Sequence, residues 1–177
     1  MDVELIVCML VSLVARGMLI PLAPARYRAG LAVLRVMLNA VLSSIPAIHA
    51  LIGQPGDAVF PARTYIGPVH IRIDALSAWF MLIINFTFIT GTLFGREYMK
   101  AYSAQRAELA FHWVLLLLFH SSMLWVCMLQ QGILFLVAWE LMSLSSMLLI
   151  IFDHLDRSTL QAGIRYMVQM HIGVLVL

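Results

Sequence analysis

Charged residues are scarce in this chain of 177 residues. Asp, Glu, Lys and Arg make up 11% of the sequence and hydrophobic residues 63%, whereas an ordinary soluble domain is about 25% charged. A water-soluble protein of this size could not bury so much apolar surface in one core. The composition therefore excludes a soluble enzyme or nucleic-acid-binding protein, and the net charge of +2 does not support a polyanionic partner.

Cysteine is also rare, and the N-terminus lacks the basic residues of a secretory signal. Cys8 and Cys127 lie in apolar runs and do not have the spacing of a metal site. Asp2 and Glu4 stand where a signal peptide would be basic. We interpret the N-terminus as the first membrane helix of the mature protein.

Long charge-free stretches predict membrane spans. Val36–Gly56 and Ala75–Gly95 each contain 21 residues without a charged side chain, and Leu109–Trp139 contains 31. A helix needs about 20 apolar residues to span the hydrocarbon layer. The sequence predicts an all-α, polytopic transmembrane protein that forms one domain over residues 1–177, with a polar loop at 53–74. The predicted helices cover about 3–22, 30–52, 75–95, 109–129, 133–152 and 161–177.

The basic residues predict the orientation of these helices. Nine lie at one end of the predicted bundle, namely Arg16, Arg26, Arg28, Arg35, Arg96, Lys100, Arg106, Arg157 and Arg165. Only Arg63 and Arg72 lie at the other end. Cytoplasmic loops are rich in Lys and Arg, so the N-terminus is predicted to face outside. Because the last predicted helix is still apolar at Leu177, we expect the N-terminal part of a longer protein.

Glu140 is the one carboxylate deep inside a predicted span. An ionised carboxylate at that depth costs at least about 2.5–3.5 kcal/mol, and such residues usually belong to ion or proton pathways. Glu140 is therefore predicted to load and release a proton. The alternative is a protonated side chain that only bonds a neighbouring helix. Ser143, one turn further on, could serve either close packing or hydration.

Histidine is the second candidate for proton transfer, because it titrates near physiological pH. His120 and His171 lie inside predicted spans, and we include both in the predicted relay. His49 and His112, nearer the membrane surfaces, are expected to form interhelical hydrogen bonds, and His70 and His154 to be solvated. His120 and Glu140 are equidistant from the turn near Gln130, so a contact between them is possible if both face the shared interface.

Three segments resemble a known family. Phe135–Ser146 reads FLVAWELMSLSS and resembles the glutamate-bearing helix of antiporter-like subunits. These occur in respiratory complex I, membrane-bound hydrogenase and formate hydrogenlyase complexes, and multisubunit cation/proton antiporters. Ile73–Phe80 and Ala162–Gly173 resemble two other helices of the same subunits, in the same order. The resemblance covers about Ile71–Leu177 and is closest to the hydrogenase branch.

The resemblance implies a proton-translocating subunit with two inverted helical repeats, in which Glu140 matches a glutamate that pairs with a lysine two helices later. This chain has no lysine in a predicted span, since Lys100 lies in a loop. We expect a redox-driven complex, NADH:quinone oxidoreductase-like or hydrogenase-type, in a bacterial or archaeal inner membrane. Electron chemistry would belong to other membrane subunits, because the chain has no cofactor motif. The alternatives are a sodium/proton antiporter subunit, an inert truncated product, and a haem-binding bundle that uses His120 and His171.

Overall fold

The computed structural model describes residues 8, 11, 15, 17, 20–61, 67–102, 106–152 and 157–176. Within these residues the chain forms helices and one β-hairpin. The helices are α1 (Ala25–Leu51), α2 (Ala75–Tyr98), α3 (Arg106–Met128), α4 (Gly132–Ile150) and α5 (Arg157–Val176), and the strands are β1 (Gly56–Phe60) and β2 (Val69–Ile73). Short 3₁₀ turns at Ile20–Leu22 and Met99–Tyr102 precede α1 and follow α2.

Four of the described helices are long and apolar enough to cross a membrane. They are Tyr27–Leu51 in α1, Ala75–Tyr98 in α2, Glu108–Met128 in α3 and Gly132–Ile150 in α4. The prediction of an all-α, polytopic transmembrane protein is confirmed. The predicted helix at 3–22 lies mostly outside the described residues, so it stays a prediction, as do the span at 161–177 and the outside N-terminus.

Several helices extend beyond their predicted ends. α1 begins at Ala25 rather than Gly30, and α5 begins at Arg157 rather than Gln161. The predicted ends mark where the apolar residues begin, but a helical backbone continues into the interface, where charged side chains reach water. At the start of α1, Arg28 donates to the carbonyl oxygens of Ala23 at 2.9 Å and Pro21 at 2.8 Å and so fixes the entering turn.

The prediction of a polar loop at 53–74 is wrong, because this segment contains the β-hairpin. β1 and β2 are antiparallel, with Ala58 opposite Ile71. Ala58, Ile71 and Ile73 are buried and pack with the ends of α1 and α3. The alternation of β2, which reads VHIRI, is typical of a half-buried strand. The nearby prolines and glycines led to the prediction of a loop instead.

The hairpin and the short turn between α3 and α4 lie at the same end of the bundle. Ile71 forms a bridge with Leu129, and the Gln130 amide donates to the carbonyl oxygen of His70 at 3.1 Å. A second apolar cluster at the opposite end includes Ile20, Met99, Trp113 and Phe152. Connections therefore alternate between the two ends, as expected for helices that cross a membrane in turn.

Asp74 caps the N-terminus of α2. Its carboxylate accepts a hydrogen bond from the Ser77 amide at 2.8 Å, which satisfies one of the free amides of the first turn. This hydrogen bond lowers the pKa of Asp74 below its usual value. The Asp–x–x–Ser spacing in the family-like segment Ile73–Phe80 therefore has a local structural role.

Candidate functional site

Glu140 lies at the middle of α4, eight residues after Gly132. At about 1.5 Å per residue, the carboxylate-bearing residue is about 12 Å along the helix from its start. Its side chain is 38% exposed on the surface of the chain. The neighbouring exposed residues Val137, Leu141 and Leu144 are apolar. Glu140 is thus a single acidic group on an otherwise apolar face.

His171 of α5 is the partner of Glu140. Its Nε2 atom lies 3.1 Å from Glu140 Oε2. The other ring nitrogen, Nδ1, lies 3.0 Å from the carbonyl oxygen of Met167. The structure therefore brings together two of the three predicted relay residues, and it does so across the contact between α4 and α5.

The two contacts of His171 determine how many protons the pair holds. The Met167 carbonyl can only accept, so Nδ1 carries a proton and donates it. The contact from Nε2 to Glu140 then requires one further proton, which belongs to the carboxyl group or to the ring. In either arrangement the pair is electrically neutral. A neutral pair is far less costly in an apolar environment than an isolated carboxylate.

The pair lies in a groove between α4 and α5 with a volume of about 370 Å³. Its other walls are apolar and consist of Leu136, Val137, Leu141, Leu144 and Met167. His171 is 49% exposed, so both polar groups can be reached from the groove. This combination of an apolar groove and two accessible titratable groups is typical of a functional site.

Two contacts fix α5 against α4 near the pair. The Ser146 hydroxyl donates to the Tyr166 hydroxyl oxygen at 2.8 Å. Gly163 lies so close to Ile151 that a β-carbon there would collide with its side chain. Ser146 is six residues from Glu140, and Tyr166 is five residues from His171. Both contacts therefore hold the two helices in the register that the pair requires.

The serines that follow Glu140 bond mainly to their own helix. Ser143 donates to the carbonyl oxygen of Glu140 at 3.1 Å, and Ser145 to that of Leu141 at 2.6 Å. Both side chains are buried. Of the two roles left open for Ser143, these contacts favour packing over a hydration path.

His120, the third predicted relay residue, belongs to a separate cluster. It is fully buried, and its Nε2 donates to Asn85 Oδ1 at 3.0 Å. Its Nδ1 accepts from the Asn39 amide at 3.3 Å, and the ring stacks on Phe88 with centroids 4.5 Å apart. The Asn85 amide also donates to Ser43 at 2.8 Å. The cluster connects α1, α2 and α3.

The contact between His120 and Glu140, which equal depth left possible, is not formed, because the two side chains face different helices. α3 presents His120 to α1 and α2, whereas α4 presents Glu140 to α5. The equal distances from the turn did not determine the rotation of either helix about its own axis. The cluster also engages both ring nitrogens of His120, and both ring nitrogens of His171 have contacts of their own. The haem alternative, which would use the same two histidines, stays a prediction.

Sequence reasoning missed Asn39 and Asn85. Both are amides inside otherwise apolar spans, and both are almost completely buried. A polar side chain in a span requires a partner within the protein, so their positions could have indicated partners for His120.

The remaining histidines have local contacts. His49 lies 3.4 Å from the side chain of Gln54, and His70 is exposed on β2. His112 packs edge-on against Trp113 and Phe152, and its Nδ1 has no hydrogen-bond partner in the described part of the chain. The interhelical hydrogen bond expected of His112 is therefore not formed there. His154 lies outside the described residues.

Comparison with known proteins gives three relatives, and no protein-family model matches. Hydrogenase-4 component B of Escherichia coli is 31% identical over 103 residues, or 58% of this chain. A Staphylococcus saprophyticus protein named as antiporter subunit mnhA2 is 36% identical over 84 residues, or 48% of the chain. Its namesake in Staphylococcus aureus is 38% identical over 82 residues, or 46%.

Over the matched stretches the chain is homologous to antiporter-like membrane subunits. The names of these relatives and the four apolar helices together indicate an integral membrane protein. The matched stretches cover only 15% of the Escherichia coli protein and 10% of each staphylococcal protein. The activity and assembly of the whole relatives are therefore treated below as proposals for this chain.

Proposed function

We propose that this chain is a proton-translocating subunit of a membrane complex and that Glu140 takes up and releases the proton. The observation that carries the proposal is the 3.1 Å contact between Glu140 and His171 inside an apolar groove. An acidic and a basic titratable group at this depth, accessible from one side, are the components that a proton relay needs.

The proposed mechanism has two states, which differ in whether Glu140 and His171 hold a proton between them. With one proton between Glu140 and His171, the pair is neutral and hydrogen-bonded. Loss of that proton leaves two lone pairs facing each other and a carboxylate in an apolar groove, which is strongly unfavourable. Release is therefore expected when another positive charge approaches the groove, and uptake restores the hydrogen bond.

We propose that other membrane subunits cover this groove. An accessible Glu–His pair facing lipid hydrocarbon would be costly, and burial against protein removes that cost. The host complex is proposed to be redox-driven, of hydrogenase or NADH:quinone oxidoreductase type, in a bacterial or archaeal inner membrane. Partner subunits would then carry out the electron chemistry, consistent with a relative that is a hydrogenase component.

A sodium/proton antiporter subunit is the second candidate function. Two of the relatives carry the name antiporter subunit, and the same glutamate would serve either complex. We assign His120 to the packing of α1, α2 and α3 in both cases, because each of its ring nitrogens already has a buried partner.

Proton movement in inverted vesicles from the host organism tests the proposal. Glu140→Gln should abolish dye-detected proton movement, because Gln keeps the shape of the side chain but cannot ionise, and Glu140→Asp should retain part of it. Asp57→Asn removes an exposed carboxylate on the hairpin and serves as the matched control. Equal amounts of each variant in the membrane would establish insertion.

Unimpaired proton movement in Glu140→Gln would exclude the relay. Absence of proton movement in wild-type vesicles would favour the inert product. Sodium-dependent proton movement without a redox substrate would favour the antiporter.

A further inference from the structure

A second cavity lies at the end of the bundle opposite the hairpin. It has a volume of about 620 Å³ and lies between the first turns of α1 and the end of α2. Tyr27, Gly30, Leu31 and Leu34 form one wall along a single face of α1. None of the residues that line this cavity belongs to the three family-like segments or to the proposed relay. The lining residues are also remote in sequence from Glu140 and His171.

The opposite wall of the cavity is basic. Arg96 and Lys100 line it and both are exposed. Arg96 interacts electrostatically with Glu97. Lys100 forms an exposed ion pair with Glu97 at 2.5 Å. Two cationic side chains against one carboxylate leave the mouth of the cavity positively charged, and this charge complements a phosphate group.

The apolar wall continues from the cavity toward the middle of the predicted span. Leu34, Leu38 and Val41 lie on one face of α1 and are 52%, 44% and 58% exposed. They form an uninterrupted apolar strip that begins at the cavity. A ligand that matches both features must carry a negative charge at one end and a hydrocarbon chain at the other.

We propose that this cavity binds an anionic phospholipid of the bilayer. Its phosphate lies between Arg96 and Lys100, and one acyl chain follows the strip of Leu34, Leu38 and Val41. Basic pockets between membrane helices on the cytoplasmic side bind anionic headgroups in this way. The predicted topology places this end of the bundle on the cytoplasmic side, where such lipids are available. A free phosphate could occupy the basic end but would not use the apolar strip.

The test uses the full chain purified in a mild detergent, with phosphatidylglycerol as the probe and phosphatidylcholine as the neutral comparison. Native mass spectrometry counts the lipids retained on each variant. The wild type should retain phosphatidylglycerol over phosphatidylcholine. The double substitution Arg96→Gln/Lys100→Gln should weaken that preference by about tenfold, because each basic residue contributes to headgroup attraction. Arg72→Gln, on the hairpin, is the matched control and should keep the preference.

A second variant separates shape from charge. A β-carbon at Gly30 would meet nothing within 4 Å, so Gly30→Leu can fill the cavity without disturbing the fold or removing a charge. It should lower the retention of phosphatidylglycerol while leaving Arg96 and Lys100 in place. Circular dichroism and gel filtration would check that every variant compared is folded.

Three results would overturn the proposal. The first is equal retention of phosphatidylglycerol by the double variant and the wild type. The second is unchanged retention in Gly30→Leu. The third is full displacement of the lipid by inorganic phosphate at equal concentration, which would indicate a site for small anions.

Discussion

The two polar sites of the described helices differ in how completely their hydrogen bonds are satisfied. His120 is fully buried, and both of its ring nitrogens are engaged by Asn39 and Asn85. Glu140 is partly exposed, and its one side-chain partner among the described residues is His171, in an apolar groove. A satisfied, buried group stabilises one arrangement of helices, whereas an accessible pair that shares a proton can exchange it. Depth in the membrane alone does not distinguish these roles.

The largest effect on stability is expected at His120. His120→Ala would remove the ring that stacks on Phe88 and leave the amides of Asn39 and Asn85 without their shared partner. We expect the free energy of unfolding to fall by about 2–4 kcal/mol, because a cavity and unsatisfied polar groups are both created. Unfolding in mixed detergent micelles measures this change. If His120→Ala lowered the free energy of unfolding less than His171→Ala does, the buried cluster would not be the more stabilising of the two sites.

A smaller effect is expected where α5 approaches α4. Gly163→Ala should destabilise the chain by about 1–3 kcal/mol, because the new methyl group collides with Ile151. The same unfolding assay applies. The double variant Gly163→Ala/Ile151→Ala provides the control, since removal of the Ile151 side chain makes room and should recover part of the loss. If the losses from Gly163→Ala and Ile151→Ala simply added in the double variant, the collision between these two residues would not be the cause of the destabilisation.

Asp74 tests the hairpin end of the bundle, away from both polar sites. Asp74→Ala should lower the free energy of unfolding by about 1 kcal/mol at neutral pH, as is typical when an N-cap is lost. Folding lowers the pKa of Asp74, so this contribution is present above the pKa of the unfolded state. It is lost as the pH falls through the lower folded pKa.

The difference in unfolding free energy between the wild type and Asp74→Ala should therefore shrink on acidification. A difference that stays constant across the acid range would mean that the carboxylate does not cap α2.

The smallest effects are coupling energies. Glu140→Gln and His171→Ala should be non-additive by about 0.5–1 kcal/mol in unfolding free energy, since they remove the two halves of one contact. Glu140→Gln and His120→Ala should be additive within about 0.5 kcal/mol, because they belong to separate clusters. Strong coupling between Glu140→Gln and His120→Ala would instead indicate that His120 and Glu140 interact.

The membrane helices could be predicted from the sequence, because their apolar runs are long enough to be recognised without tertiary information. Glu140 could also be predicted, because a carboxylate in a span is unusual on its own. Its partner could not be chosen between His120 and His171, since both lie at comparable depth and helix rotation depends on packing. Close approach at Gly163 and the Ser146–Tyr166 hydrogen bond, which set that rotation, become visible only in three dimensions.

The hairpin was missed for a different reason. Residues 69–73 alternate in the manner of a half-buried strand, but the segment before them suggested an irregular loop, because it contains Pro55, Gly56, Pro61, Gly67 and Pro68. Pairing with β1 and burial of Ile71 and Ile73 beneath the helices decide the outcome. The strand pairing joins residues 9 to 17 positions apart, and helix residues that cover the hairpin, such as Leu124 and Met128, are far from it in the sequence.

Infrared spectroscopy of the full chain in liposomes tests the central claim most directly, because it follows the protonation of Glu140 itself. Difference spectra between acidic and alkaline pH should contain a carboxyl-to-carboxylate change that disappears in Glu140→Gln. The pH midpoint of that change should move in His171→Ala and stay in place in a folded His120 variant such as His120→Asn. A midpoint unaffected by His171→Ala, or moved only by the His120 substitution, would contradict the assignment of the shared proton to Glu140 and His171.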